Sequence, residues 1–142
     1  MMMIQKNEIT VEAKVNAPVE KVWHVWNNPD DIMQWNSADP NWHTPSSEND
    51  LRVGGKFKNR MEAKDGSFGF DFEGTYTKVD LNKEISYTMS DGRKATTVFD
   101  QSNGTTLIQT KFDAEDQNDL SFQKQGWQAI LDSFVQYIES NN

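Results

Sequence analysis

The C-terminal stretch from Asp119 to Ser140 is the feature that most constrains what this chain can fold into. Its apolar side chains recur at three- and four-residue intervals, as on one side of an α-helix: Trp127, Ile130, Leu131, Phe134, Val135 and Ile138. We expect this helix to run from about Asn118 to Glu139. Helix propensity alone does not hold such a helix in water, so its wide aromatic stripe needs a partner of similar length. No second helix of that length is predicted, and the partner must therefore be a sheet.

The start and the interior of this helix carry two further signals. Asp116, Asn118 and Asp119 are candidate N-caps, which also suit the positive end of the helix dipole. Gly126 lies within the helix and should cost about 1 kcal/mol relative to alanine. A small residue beside the large Trp127 indicates either close approach of another backbone or space left for something else.

The length and composition favour one domain over residues 1–142, with a core that needs no covalent staples. Cysteine is absent, which excludes disulfides and thiolate metal sites, and no cluster of ligand residues predicts another metal site or a cofactor. The net charge of −8 argues against nucleic acid as a partner, since phosphate binding uses clustered Lys and Arg. We see no signal peptide and no apolar run of membrane-spanning length, and expect a cytoplasmic protein.

Before the long helix, the chain predicts one strand, a short helical region and then an antiparallel meander. Apolar residues alternate over 9–15, which predicts a strand with one buried face. Pro18 opens a helix and Pro29 ends it, while residues 30–35 are compatible with a further turn, so we expect one or two short helices. The polar segment 36–50 contains two prolines and predicts a loop. That loop acts either as a lid or as a segment tied to the core by Trp42.

Three dipeptides punctuate the meander as hairpin turns: Asp65-Gly66, Asp91-Gly92 and Asn103-Gly104. They predict strands over residues 51–63, 68–79, 84–89, 95–101 and 105–112. In the second of these, alternation sends Phe70, Phe72 and Tyr76 inward and Asp71, Glu73 and Thr75 outward. The pattern of the last strand fits two faces: either Leu107 and Gln109 point inward, or Ile108 and Phe112 do. The order of elements predicts an α+β fold, with a curved antiparallel sheet of about six strands around the long C-terminal helix.

Five stretches, which together extend from about Ile9 to Ile138, carry a resemblance to known proteins: ITVEAKVNAPVEKVWHVWNNPDDIMQW, DLRVGGKF, FEGTYTKVD, ISYTMSDGR and GWQAILDSFVQYI. They resemble the START-like (SRPBCC) superfamily, in the branch named after the activator of Hsp90 ATPase and in its single-domain bacterial type. The resemblance implies the helix-grip fold, in which a curved sheet holds the C-terminal helix around a deep cavity. It implies ligands such as lipids, polyketides, flavonoid-like aromatics or sterols, and in some members cyclisation of polyketides. The superfamily has no common catalytic motif, so fold analogy limits what can be said of function.

The aromatic content, with five Trp and eight Phe, supplies walls for such a cavity or simply fills the core. The candidate ligand-binding residues are Trp35, Trp42, His43, Phe57, Asn59, Met61, Phe70, Phe72, Tyr87, Trp127 and Phe134. Polar groups that could orient a ligand are Asn59, Tyr87, Gln109 and His43, since a buried polar group must be paired or hydrated.

No catalytic residues are assigned, because no catalytic constellation is visible. We therefore expect a protein that binds a small apolar ligand, lipid-like or aromatic, rather than an enzyme. One alternative is a cyclase or aromatase in the same cavity, for which His43, the tyrosines and Lys111 are the available acids and bases. The other is a chaperone-interaction module, although the separate N-terminal domain of the eukaryotic chaperone activators has no counterpart in this sequence.

Overall fold

The computed structural model of the protein describes residues 7–140. Its strands are β1 (Glu8–Val15), β2 (Trp42–Asn49), β3 (Lys56–Ala63), β4 (Gly69–Asp80), β5 (Glu84–Met89), β6 (Lys94–Ser102) and β7 (Thr105–Asp113). Its helices are α1 (Val19–Asn27), α2 (Pro29–Trp35) and α3 (Leu120–Ser140). The predicted helix-grip fold is confirmed, with a sheet of seven strands rather than about six. Residues 1–6, within the stretch in which no signal peptide is recognised, lie outside the described residues, as do 141–142.

The sheet has the order β1-β7-β6-β5-β4-β3-β2, and every neighbouring pair is antiparallel. All neighbours except β1 and β7 are consecutive in the chain, as the predicted meander requires. At the β6–β7 turn, Asn103 and Gly104 have φ angles of 53° and 80°. Two successive residues with positive φ make the tight turn whose twist matches that of the flanking strands, and Asn-Gly is its preferred sequence.

The prediction of a loop over 36–50 is wrong for residues 42–49, which form the edge strand β2. Its pairing with β3 is interrupted by a register shift between His43 and Ser46, where Pro45 lies. An edge strand with a proline and exposed polar side chains has no apolar alternation, so the usual strand signal is missing. The strand predicted from Leu51 begins instead at Lys56. Residues 51–55 form a turn in which the Gly55 N–H donates to the Arg52 carbonyl at 2.8 Å.

Helix α3 starts where its candidate cap predicts. A carboxylate oxygen of Asp119 accepts a hydrogen bond of 2.8 Å from the Phe122 N–H, three residues into the helix. Behind this turn the buried Gln123 side chain donates to the carbonyls of Glu115 and Asn118, at 3.1 and 2.8 Å. The connection from β7 is thereby fixed to the first turn of the helix.

Two side chains of α3 make hydrogen bonds to backbone groups along the outer edge of β1, which has a strand neighbour on one side only. The Gln128 amide nitrogen donates to the Glu12 carbonyl at 3.0 Å, while its oxygen accepts from the Glu12 N–H at 3.4 Å. Further along, Glu139 accepts from the Asn16 N–H at 2.9 Å. These contacts take the place of a strand partner, so this sheet edge is covered.

The apolar stripe of α3 packs at two separate places. Near its start, Trp127 stacks on Phe112 of β7, with ring centroids 3.8 Å apart and planes within 10°. Near its end, the fully buried Phe134 lies 5.0 Å from both Trp26 and Trp35, edge to face. The expected burial of Phe134 is confirmed, and the rings that it contacts belong to the tryptophans of the two short helices.

The inward faces of the central strands follow the predicted alternation. Ile108 and Phe112 are buried while Leu107 is 40% exposed, which settles the ambiguous strand β7. On β4, Phe72 and Tyr76 lie on the concave face of the sheet, and Phe70 lies on the same face although it is 39% exposed.

Phe134→Ala tests whether the stripe of α3 is core. We expect the free energy of unfolding to fall by about 3–5 kcal/mol, because the variant leaves a cavity between two tryptophans. Urea denaturation measures it. In the matched control Phe122→Ala, on the same helix and 63% exposed, the loss should stay below about 0.5 kcal/mol. A loss of less than about 1 kcal/mol for Phe134→Ala would contradict the assignment.

Candidate functional site

A cavity of about 230 Å³ lies between α3 and the concave face of the sheet and is partly open to solvent. The backbone of α3 runs close to β1, α1 and α2 but not to β3, β4 or β5, so the curved sheet and the helix backbone separate there. The aromatic and aliphatic residues of the wall are Val11, Trp26, Ile32, Trp35, Phe57, Met61, Phe70, Phe72, Tyr76, Ile85, Tyr87, Trp127, Ile130 and Leu131. Its polar residues are Asn27, Asn36, Asn49, Asn59, Thr97 and Thr110.

Phe57 organises the aromatic side of the wall. Its ring centroid lies 4.8 Å from that of Tyr87, 5.4 Å from that of Tyr76 and 5.7 Å from that of Phe72. A Cβ added at Gly74 of β4 would lie 2.7 Å from this ring. Glycine at that position therefore lets Phe57 pack down onto the neighbouring strand instead of filling the cavity.

Trp127 connects this aromatic group to the helix. Its ring stacks on Phe112 on one side and meets Phe72 edge to face, with centroids 6.0 Å apart. The wall is therefore built of rings that hold one another at contact distance.

One polar chain at the wall is closed by its own hydrogen bonds. The Tyr76 hydroxyl donates to the Asn49 side-chain oxygen at 2.5 Å, and the Asn49 amide nitrogen donates to the Asn27 carbonyl at 2.8 Å. Burial raises the pKa of Tyr76, and the bond to Asn49 opposes that change only in part. This chain joins β2, β4 and α1, and so fixes one side of the cavity.

Two threonines and a tyrosine supply hydroxyl groups on the sheet side. The side-chain oxygens of the buried Thr97 and Thr110 are 2.8 Å apart and hydrogen-bonded to each other. Burial raises the pKa of the Tyr87 hydroxyl, which therefore stays protonated at neutral pH. No residue of the described cavity wall carries a charge.

Residues 7–140 contain no group of three His, Cys, Asp or Glu side chains that could hold a metal ion. None of the helices in the described part of the chain is long and apolar enough to cross a membrane.

Most of the residues predicted for ligand binding meet at this cavity: Trp35, Phe57, Asn59, Met61, Phe70, Phe72, Tyr87 and Trp127. Trp42, His43 and Phe134 do not line it. The Trp42 ring lies outside, 6.0 Å from Phe68, and the imidazole of His43 lies 3.9 Å from Glu62 on the sheet surface. Gln109, considered as a polar partner, is exposed.

Several wall residues were not predicted from the sequence, although the alternation of two strands would have allowed the prediction of Thr97 and Thr110. Ala95 and Phe99 are buried on β6, so alternation places Thr97 between them on the inner face. Thr110 follows in the same way from Ile108 and Phe112 once the face of β7 is known. Asn49 gave no such signal, because it lies on the strand that was predicted as a loop.

Gly126 does not mark a close contact. A Cβ built at this position meets no atom within 4 Å, and the residue does not line the cavity. Of the two interpretations of this glycine, close approach of another backbone is wrong.

The family described as "Activator of Hsp90 ATPase homolog 1-like protein" matches residues 16–139. The chain belongs to this family. The solution structure of the AHSA1-like protein from Aeromonas hydrophila is 45% identical, covers 95% of this chain and 94% of its own, and superimposes with a TM-score of 0.89.

Two further solved structures extend the comparison. A protein from Cytophaga hutchinsonii is 51% identical over 94% of this chain and 93% of its own, with a TM-score of 0.82. A protein from Nitrosomonas europaea shares the fold at 16% identity over 94% and 95% of the two chains, with a TM-score of 0.80. No curated protein matches the chain significantly.

The buried tyrosines give a testable pH dependence. The pKa values of Tyr76 and Tyr87 lie above the unfolded value of about 10, so their contribution to stability is complete below that pH and is lost above it. We expect the unfolding free energy to fall as pH rises above about 10, less steeply in Tyr87→Phe than in the parent. Urea denaturation at a series of alkaline pH values measures this slope, and equal slopes in the two proteins would contradict the assignment.

Proposed function

We propose that the protein binds a small apolar molecule, lipid-like or aromatic, in the cavity between α3 and the sheet. The observation that carries this proposal is the cavity itself: about 230 Å³, walled by aromatic and aliphatic side chains and partly open to solvent. Binding sites for small molecules are mostly apolar clefts with a few placed polar groups, and this wall has that composition.

The size of the cavity supports a ligand rather than a packing defect. A closed apolar cavity of about 150 Å³ accommodates benzene, so one of 230 Å³ has room for a larger molecule. The space is also partly open to solvent, so that a molecule of this size can reach it.

The chemistry of the wall favours binding over catalysis. A cyclase or aromatase needs a group with a pKa near the working pH. The described wall offers only amides, threonines and two tyrosines, and burial raises the pKa of both tyrosines away from neutrality. A chaperone-interaction module, the other alternative, would use an outer surface and leaves the cavity without a purpose. The fold of this family is also commonly a ligand-binding fold.

Ligand titrations of the parent protein and of a variant whose cavity is partly filled by a larger side chain test the proposal. A panel of uncharged lipids and polyphenols is added to the labelled protein, and amide and methyl NMR shifts are followed. We expect saturable changes at Ile85, Tyr87, Trp127 and Leu131 for at least one compound. Ile130→Trp fills the wall from α3 and should weaken binding of that compound at least tenfold, because the space it needs is occupied.

The control for bulk is Gln125→Trp, which adds the same side chain at an exposed position of the same helix. It should bind like the parent. Calorimetry of a bound compound should also show a negative heat-capacity change, the mark of apolar burial. Binding that is equal in both variants, or shifts confined to the outer surface, would show that the cavity is not the site.

A further inference from the structure

Tyr87 occupies the centre of the sheet side of the cavity. It lies on β5, which has three strands on either side in the sheet order. Its ring is held by Phe57, with centroids 4.8 Å apart, and by edge contacts to Phe72 and Tyr76 at 6.3 and 6.5 Å. The side chain is therefore fixed in place, and its position in the cavity follows from the packing of its neighbours.

The Tyr87 hydroxyl has no hydrogen-bond partner within residues 7–140. The described residues contain no fully buried side-chain oxygen or nitrogen that lacks a partner. Its oxygen must therefore keep contact with open space, and Tyr87 lines the cavity. A polar group on an apolar wall, directed at open space, is the usual sign of a group that orients a ligand.

The other hydroxyl groups of the wall take part in hydrogen bonds within the protein. Tyr76 donates to Asn49, and Thr97 and Thr110 share one bond, which leaves one proton over in a buried pair. The side-chain NH2 groups of Asn36, at the end of α2, and Asn59, on β3, donate to no group within residues 7–140, and both residues are half-exposed. Tyr87 is thus the one hydroxyl of the described wall that takes part in no hydrogen bond to the described protein.

The protonation state of Tyr87 and the charges of the groups around it limit the kind of ligand that it can bind. Burial raises its pKa, so at neutral pH it is a protonated hydroxyl that can donate. The nearest positive charge that acts on Tyr87 is that of Arg93, which does not line the wall and whose guanidinium is paired with Asp91 at 2.8 Å. The described wall itself has no Lys, Arg or His. A carboxylate moved next to Tyr87 would lose its hydration and gain one hydrogen bond from an uncharged hydroxyl without a cation of the wall to pair with, which is a poor exchange.

We infer that the cavity selects an uncharged apolar molecule that carries a hydrogen-bond-accepting oxygen, such as a ketone or ester carbonyl, and that Tyr87 is the residue that recognises this oxygen. The inference rests on the proposed function and narrows its ligand class. It assigns the apolar part of the molecule to the aromatic walls and the oxygen to one hydroxyl.

Three naphthalene compounds separate the contribution of the aromatic walls to binding from that of the Tyr87 hydroxyl and from the effect of ligand charge. They are 2-acetylnaphthalene, which has an acceptor, 2-ethylnaphthalene, which has none, and 2-naphthoate, which is charged. Their dissociation constants are measured at neutral pH by NMR titration of the parent and of Tyr87→Phe. The variant keeps the ring and loses no hydrogen bond within the described chain, so its urea midpoint should equal that of the parent.

We expect Tyr87→Phe to raise the dissociation constant of 2-acetylnaphthalene by about twofold to tenfold, the range for the loss of one hydrogen bond. Binding of 2-ethylnaphthalene should be unchanged or slightly tighter. In the parent, 2-naphthoate should bind at least tenfold more weakly than the ketone. Tyr137→Phe is the control, because its hydroxyl donates to Asp31 at 2.6 Å outside the cavity wall. It should leave both affinities at the parent values.

Each other outcome has a defined meaning. If Tyr87→Phe weakens ketone and hydrocarbon equally, Tyr87 is only part of the wall, and the inference fails while the proposed function stands. If 2-naphthoate binds in the cavity as tightly as the ketone, selection of uncharged ligands is overturned. If no probe perturbs the residues of the cavity, the proposed function is contradicted and the inference falls with it.

Discussion

The stacking of Trp127 on Phe112 is the contact on which the rest of this structure depends. It fixes the start of α3 to β7, while Phe134 fixes the end of the helix between Trp26 and Trp35. Both contacts, together with the hydrogen bonds to β1, hold the helix on one side of the sheet. Because the sheet curves and the helix backbone stays away from strands β3 to β5, a space opens between them that only side chains such as Trp127 reach into. The cavity is a consequence of where the helix is held.

The sequence predicted this arrangement where local chemistry and periodicity agree. The three hairpin dipeptides, the capping Asp119 and the stripe of α3 each act through neighbours a few residues away, so they can be recognised without tertiary information. The edge strand β2 was missed for the opposite reason. Its polar residues and Pro45 carry no alternation, and it becomes a strand because β3 offers it hydrogen bonds across a bulge.

The residues of the site likewise divide into those that the sequence predicts and those that only the tertiary contacts reveal. Aromatic density indicated a cavity wall, and most of the proposed wall residues meet there. Phe134 is buried but does not line the cavity, since it packs against Trp26 and Trp35. A helical stripe shows which side of the helix is apolar but not which neighbour covers each turn. Asn49 and its bond to Tyr76 join segments 27 residues apart, which no periodic pattern reveals. Whether the Tyr87 hydroxyl has a hydrogen-bond partner in the protein depends on which polar groups lie next to it, and only the three-dimensional arrangement shows this.

The central claim is that an apolar space accessible to small molecules lies between α3 and the sheet, and xenon tests it most directly because it binds by dispersion alone. The measurement is the shift of methyl resonances in the labelled protein as xenon pressure rises. The account predicts saturable shifts at Ile85, Ile130 and Leu131, with none at the exposed Val53 and Leu81. Shifts that rise linearly and equally at all these methyl groups would contradict it.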